Sequence, residues 1–127
     1  MTDKGKKILI VEDEQDARRY LSTLLQDNGY TTILAKGGNE GMELVRKEKP
    51  DLITLDINMP EGTGTRMLRN LTDDPDAANI PVVIVSVVDP ELEDFLGKMK
   101  CVNSPAAFFE KPIDREEFLI ELKKIMD

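Results

Sequence analysis

The sequence predicts an α/β fold, one open sheet of five parallel strands wound on both faces by helices. Three observations carry this. Five short apolar runs, at residues 8–11, 31–35, 52–55, 82–85 and 106–109, are rich in β-branched or aromatic side chains. The runs are continuous rather than alternating, the pattern of strands buried on both faces. Each is followed by apolar residues at helical spacing, most simply the core face of a helix. Strict alternation implies parallel strands and right-handed crossovers. Five units are too few for an eight-stranded barrel, which leaves the doubly wound sheet.

The helices follow in order. Ala17, Leu21, Leu24 and Leu25 form the first stripe, and Asn28-Gly29 ends it as a left-handed cap would. Gly41, Leu44 and Val45 form a shorter stripe stopped by Lys49-Pro50. Met67, Leu68 and Leu71 form the third, broken by Asp73-Asp74-Pro75-Asp76. Leu92, Phe95, Leu96 and Met99 form the fourth, with Asp89-Pro90 supplying a cap and a first-turn proline. Phe118, Leu122, Ile125 and Met126 form the last, opened by Asp114 with Glu117 three residues on.

The 127 residues suit one compact domain spanning 1–127, with no internal repeat, low-complexity tract or linker. There is no apolar run near the roughly 18 residues a membrane span needs. The N-terminal segment lacks a signal peptide's apolar stretch, and the single Cys101 excludes an internal disulfide. A cytoplasmic, membrane-free protein is expected. The net charge of −8 disfavours nucleic acid, whose phosphates need clustered Lys and Arg. The absence of histidine removes His general bases, His-ligated zinc and any phosphohistidine on this chain.

In an open α/β sheet, ligands bind beyond the carboxyl ends of the strands. The first strand ends in Glu12-Asp13, the third in Asp56, the fourth in Ser86 and the fifth in Lys111. Each has a plain alternative. Asp13 or Ser86 would cap a helix, Asp56 would cap the turn before Met59-Pro60, and Lys111 would be a solvated lysine. Together they are less plain, because acids converging on one edge repel each other unless a cation sits there. Mg²⁺ answers that repulsion with oxygen ligands and retained waters. A carboxylate in such a site is a nucleophile toward phosphorus. The transferring group's oxygens then need a hydroxyl and a cation, which Ser86 and Lys111 supply.

These residues resemble the receiver domains of two-component signalling over the whole chain. The matched features are Glu12-Asp13 after the first strand, the run Asp56-Ile57-Asn58-Met59-Pro60, Gly64, Ser86 after the fourth strand, and Lys111-Pro112. The resemblance implies a flavodoxin-like sheet of order 2-1-3-4-5. It implies Asp56 as phosphoacceptor and Asp13 as direct Mg²⁺ ligand, with Glu12 acting beside it through water. It implies that the Asn58 backbone carbonyl completes the metal site. Ser86 is then the hydroxyl that follows the phosphoryl group, Lys111 the salt-bridging amine, Lys111-Pro112 a cis bond, and Phe108 the switch aromatic.

The implied function is phosphoryl acceptance from a sensor histidine kinase or histidine phosphotransfer protein. Signalling would follow through altered contacts with a downstream protein, by a monomer or weak dimer. The implied chemistry is self-catalysed transfer and hydrolysis only, so no conventional enzyme is expected. The sequence departs from the family pattern at Phe108, where Tyr is commoner, and at Val87, where a smaller residue is usual and a narrowed approach is expected. It departs again at Ser104-Pro105 and in the 25-residue step from Ser86 to Lys111, about three residues longer than in compact chemotaxis-type receivers.

Rival readings stand beside this one. A haloacid-dehalogenase-type phosphatase needs an acid two positions after its nucleophile, where this chain has Asn58. A nucleotide or flavin module needs a glycine pattern that neither Gly37–Gly41 nor the stretch 62–65 supplies. A receiver excised from a longer kinase or regulator, and a phosphorylation-independent pseudo-receiver, are the remaining alternatives.

Overall fold

A computed structural model describes residues 5–87, 94 and 105–127. Strands β1 (Lys7–Val11), β2 (Thr31–Ala35), β3 (Leu52–Leu55), β4 (Val82–Ser86) and β5 (Ala107–Glu110) alternate with helices α1 (Gln15–Asp27), α2 (Gly38–Glu48) and α3 (Thr63–Asp73). Helix α4 (Arg115–Met126) follows β5, and a short 3-10 turn, Pro60–Gly62, leads into α3. The fourth apolar stripe with its Asp89-Pro90 start, Cys101 and Ser104 lie outside the described residues, as does most of the lengthened step before Lys111.

All pairings are parallel and the sheet order is β2-β1-β3-β4-β5. The doubly wound arrangement and its order are therefore those expected. The expectation that every strand is buried on both faces holds for β1, β3 and β4 only. Thr31 and Leu34 of β2 are exposed, and Ala107–Phe109 of β5 are half-buried. These two strands end the sheet order, so each has a single strand neighbour among the described residues.

Alternation along the strands divides the core in two. Leu9, Val11, Ile53, Leu55 and Ile84 face Met42, Val45, Met67, Leu68 and Leu71 of α2 and α3. Ile8, Ile10, Leu52, Val83 and Val85 face Leu21 and Leu25 of α1 and Phe118, Leu122 and Met126 of α4. The Phe118 ring is fully buried and meets Phe109 edge-on at 5.1 Å. Truncating such a ring to Ala costs about 3–5 kcal/mol, and this packing holds α4 against the end of β5.

The helix ends obey local chemistry. Gly29 takes φ 92°, its N–H bonds Gln26 O, and the Tyr30 N–H bonds Leu25 O. That is a Schellman closure, with Tyr30 and Leu25 buried in the same core. Asp114 caps α4 by accepting from the Glu117 N–H at 3.1 Å. The N-cap of α1 is Glu14, not Asp13, and no side chain caps it. The capping alternative for Asp13 is thereby removed.

Candidate functional site

The sheet's ladder continues one step past the strand ends and sets the site in register. The Glu12 N–H bonds Ala35 O, the Asp56 N–H bonds Val11 O, and the Lys111 N–H bonds Ser86 O, at 3.0–3.1 Å. Glu12, Asp56, Ser86 and Lys111 therefore leave the same edge of the sheet together.

Their side chains meet. Ser86 Oγ donates to Asp56 Oδ1 at 2.8 Å, and the Asn58 N–H donates to the same oxygen at 3.0 Å. Lys111 Nζ lies 3.3 Å from Asp56 Oδ2 and 2.6 Å from Glu12 Oε1. The Glu14 N–H donates to Glu12 Oε2 at 3.1 Å. Glu12, Asp56 and Ser86 are buried, whereas Asp13 is exposed at the rim. Among the described residues Ser86 Oγ is thus engaged with Asp56, and Lys111 is no solvated lysine.

The electrostatics follow from this burial. Desolvation pushes the Glu12 carboxyl up to about 7, with the Asp56 charge adding to the rise and Lys111 and the Glu14 N–H opposing it. Burial works against the Lys111 ammonium, yet the bond to Glu12 and the charge of Asp56 outweigh it and raise its pKa. One ammonium serves the two buried carboxylates, and Asp13 adds a third acid beside them. One oxygen each from Glu12, Asp13 and Asp56 lies within 4.8 Å of the others. An all-oxygen, carboxylate-rich set open to water on the Asp13 side fits a hard divalent cation.

The remaining expected residues occupy distinct places. Asn58 adds a second tether, since its Nδ2 donates to Val87 O at 3.1 Å. Lys111-Pro112 is cis, as the resemblance implied. Phe108 stands outside the carboxylate cluster. It pairs with Ile84, two positions before the Ser86–Glu110 pair, and packs half-buried against the α2–α3 core. Val87 is 53% exposed and lines an open groove of about 540 Å³ with Tyr20, Lys111, Pro112 and Ile113. It thus lines the same groove as Lys111.

Two residues to which the sequence assigned no role also support the site. Gly64 lies under the Asp56 loop, where a Cβ would fall 2.5 Å from Asp56 O and 2.6 Å from Ile57 O. In sequence it closes the motif that begins at Asp56, and its glycine run reads equally well as a helix start. Arg18 Nη1 donates to Glu12 O at 2.9 Å and reaches Asp13 O at 3.4 Å. In sequence it is one charge on a polar helix face, with nothing to mark it.

Comparison with known proteins agrees with this geometry. A family model described as the response regulator receiver domain matches residues 8–123. Protein PilH of Pseudomonas aeruginosa is 33% identical over 120 residues, covering 94% of this chain and 97% of its own length. The polar-differentiation response regulator DivK of Brucella anthropi is 31% identical over 122 residues, covering 95% and 96%. The signal receiver domain of a histidine kinase from Syntrophus aciditrophicus superposes with a TM-score of 0.85 at 29% identity, over 96% of this chain and 90% of that one. The chemotaxis protein CheY4 of Vibrio cholerae gives 0.82 at 27% identity, over 95% and 98%. Among the described residues no helix is long and apolar enough to cross a membrane. With its acid edge, Lys111 at that edge and its sheet order, the chain belongs to the response-regulator receiver family, the signalling domains of two-component systems.

Proposed function

We propose that this receiver accepts a phosphoryl group on Asp56 from a phosphohistidine, carried by a sensor histidine kinase or a histidine phosphotransfer protein. The observation that carries the reading is the division of labour at the Asp56 carboxylate. Oδ1 is held by two donors, Ser86 Oγ and the Asn58 N–H, while Oδ2 faces the Lys111 ammonium. The carboxylate is oriented before any donor arrives, which lowers the entropic part of the barrier.

In the transfer, an Asp56 oxygen forms the O–P bond as the donor's P–N bond breaks. The imidazole keeps the electron pair and takes up a proton. Ser86 and Lys111 are placed to hold phosphoryl oxygens as charge shifts onto them. Glu12, Asp13, Asp56 and the Asn58 backbone carbonyl would hold Mg²⁺, which when bound neutralises phosphoryl oxygens and the excess carboxylate charge. Lys111 keeps buried Glu12 and Asp56 together meanwhile. Ser86 and Phe108, joined through the β4–β5 pairing, would carry the modified state to a downstream protein. The chain then acts as one receiver domain, residues 1–127, working by protein contact in the cytoplasm as a monomer or weak dimer.

Incubation with acetyl phosphate and Mg²⁺, followed by intact mass measurement, tests this. One added phosphoryl group, lost when EDTA replaces Mg²⁺, is the expected result. Equal labelling in EDTA would remove the metal-dependent reading.

A further inference from the structure

The Glu12-Asp13 turn is held in an unusual way. No side chain caps α1 from its N-terminal side. The Asp13 carboxylate is exposed and makes no hydrogen bond with a described residue. Its direction is therefore set by the backbone of the turn. That backbone is gripped from inside the helix. Arg18 sits on the first full turn of α1, and helical side chains lean toward the N-terminus, over the preceding turn. Its Nη1 bonds the Glu12 carbonyl at 2.9 Å and approaches the Asp13 carbonyl at 3.4 Å.

We infer that Arg18 is a positioning residue for the divalent-cation site, fixing the Glu12-Asp13 backbone so that the Asp13 carboxylate meets those of Glu12 and Asp56. The inference rests on the reading of these three acids as a Mg²⁺ site and extends it to a residue that touches neither metal nor phosphoryl group. The sign of its effect separates it from simple electrostatics. A cation near a metal site repels the metal, so loss of the Arg18 charge alone would tighten Mg²⁺ binding. Loss of the clamp would weaken it, because a carboxylate free to wander must be ordered when the metal binds. Groups that orient ligands without touching the metal typically govern affinity by about 10–100-fold.

The test is Mg²⁺ titration by calorimetry on the intact protein, with Arg18→Met and Arg18→Lys beside the wild type and folding checked by circular dichroism. Arg18→Met is expected to weaken Mg²⁺ binding about tenfold or more. Arg18→Lys keeps the charge and one donor but loses the planar fork, and should fall between. Acetyl phosphate labelling at saturating Mg²⁺ should stay within about twofold of wild type for both, so the loss appears only in the Mg²⁺ concentration needed. Unchanged or tighter Mg²⁺ binding by either variant would overturn the inference, and so would slower labelling at saturation. Should Arg18→Met fail to fold, Arg18→Lys carries the same decision. If the wild type itself shows no Mg²⁺ binding that Asp13→Asn removes, the proposed metal site falls first, and the two failures remain distinct.

Discussion

Ser86 Oγ donates a 2.8 Å hydrogen bond to Asp56 Oδ1 between two buried residues that lie 30 positions apart in sequence. The contact exists because β3 and β4 are adjacent, with Leu55 paired to Ile84, so both chains leave the sheet at the same level. The hydroxyl that the resemblance has following the phosphoryl group already points at Asp56, the proposed acceptor.

Ser86→Ala should therefore do two separable things. Loss of a hydrogen bond to a charged acceptor that retains the Asn58 N–H is expected to lower stability by about 1–2 kcal/mol. Labelling of Asp56 should persist, because the carboxylate and Lys111 remain. Urea melts and acetyl phosphate kinetics on one preparation check both, and abolished labelling with unchanged stability would contradict this division.

Glu12 predicts a pH dependence of the metal-free fold. Its carboxyl titrates at about 7 in the fold against 4.5 as the reference value. The native state thus binds more protons than the unfolded state between these values. The associated stability is fully present below pH 4.5 and is lost as pH rises through about 7. Lys111, whose pKa is raised, acts only at alkaline pH and leaves this window untouched. The full effect is on the order of 3 kcal/mol. Urea melts in EDTA at pH 5, 6, 7 and 8 should show wild-type stability falling relative to Glu12→Gln. Parallel curves for the two proteins would refute it. Saturating Mg²⁺ should flatten the wild-type curve, since metal binding needs the ionised form.

Gly64 predicts an inverted helix-propensity result. Gly to Ala inside a helix ordinarily stabilises by about 1 kcal/mol. At Gly64 the added Cβ would meet the carbonyl oxygens of Asp56 and Ile57 at 2.5 and 2.6 Å, both backbone atoms. Gly64→Ala should instead destabilise by about 1–3 kcal/mol and slow Asp56 labelling, because relief of the clash displaces the acceptor loop. A stabilised variant with normal labelling would show that the loop has room.

The sheet was legible because each strand is a short run bounded by turn chemistry that did not depend on distant residues. Gly29 and Asp114 behave as local rules dictate. The acids and Lys111 were legible because strand ends of a parallel sheet converge, so position alone brought them together. What stayed hidden was the support. Gly64 matters through its contact with a loop eight residues earlier, and Arg18 through a bond from helix to turn. Neither relation leaves a periodic trace. Burial of β2 and β5 was overstated because the composition of a run does not reveal whether its strand ends the sheet.

The central claim is that Asp56 is the acceptor. The most direct measurement is intact and tandem mass spectrometry of wild type and Asp56→Asn after treatment with acetyl phosphate and Mg²⁺. One phosphoryl group mapped to Asp56, and none on Asp56→Asn, is the predicted result. Full labelling of Asp56→Asn, or a phosphoryl group mapped elsewhere in the wild type, would contradict the account.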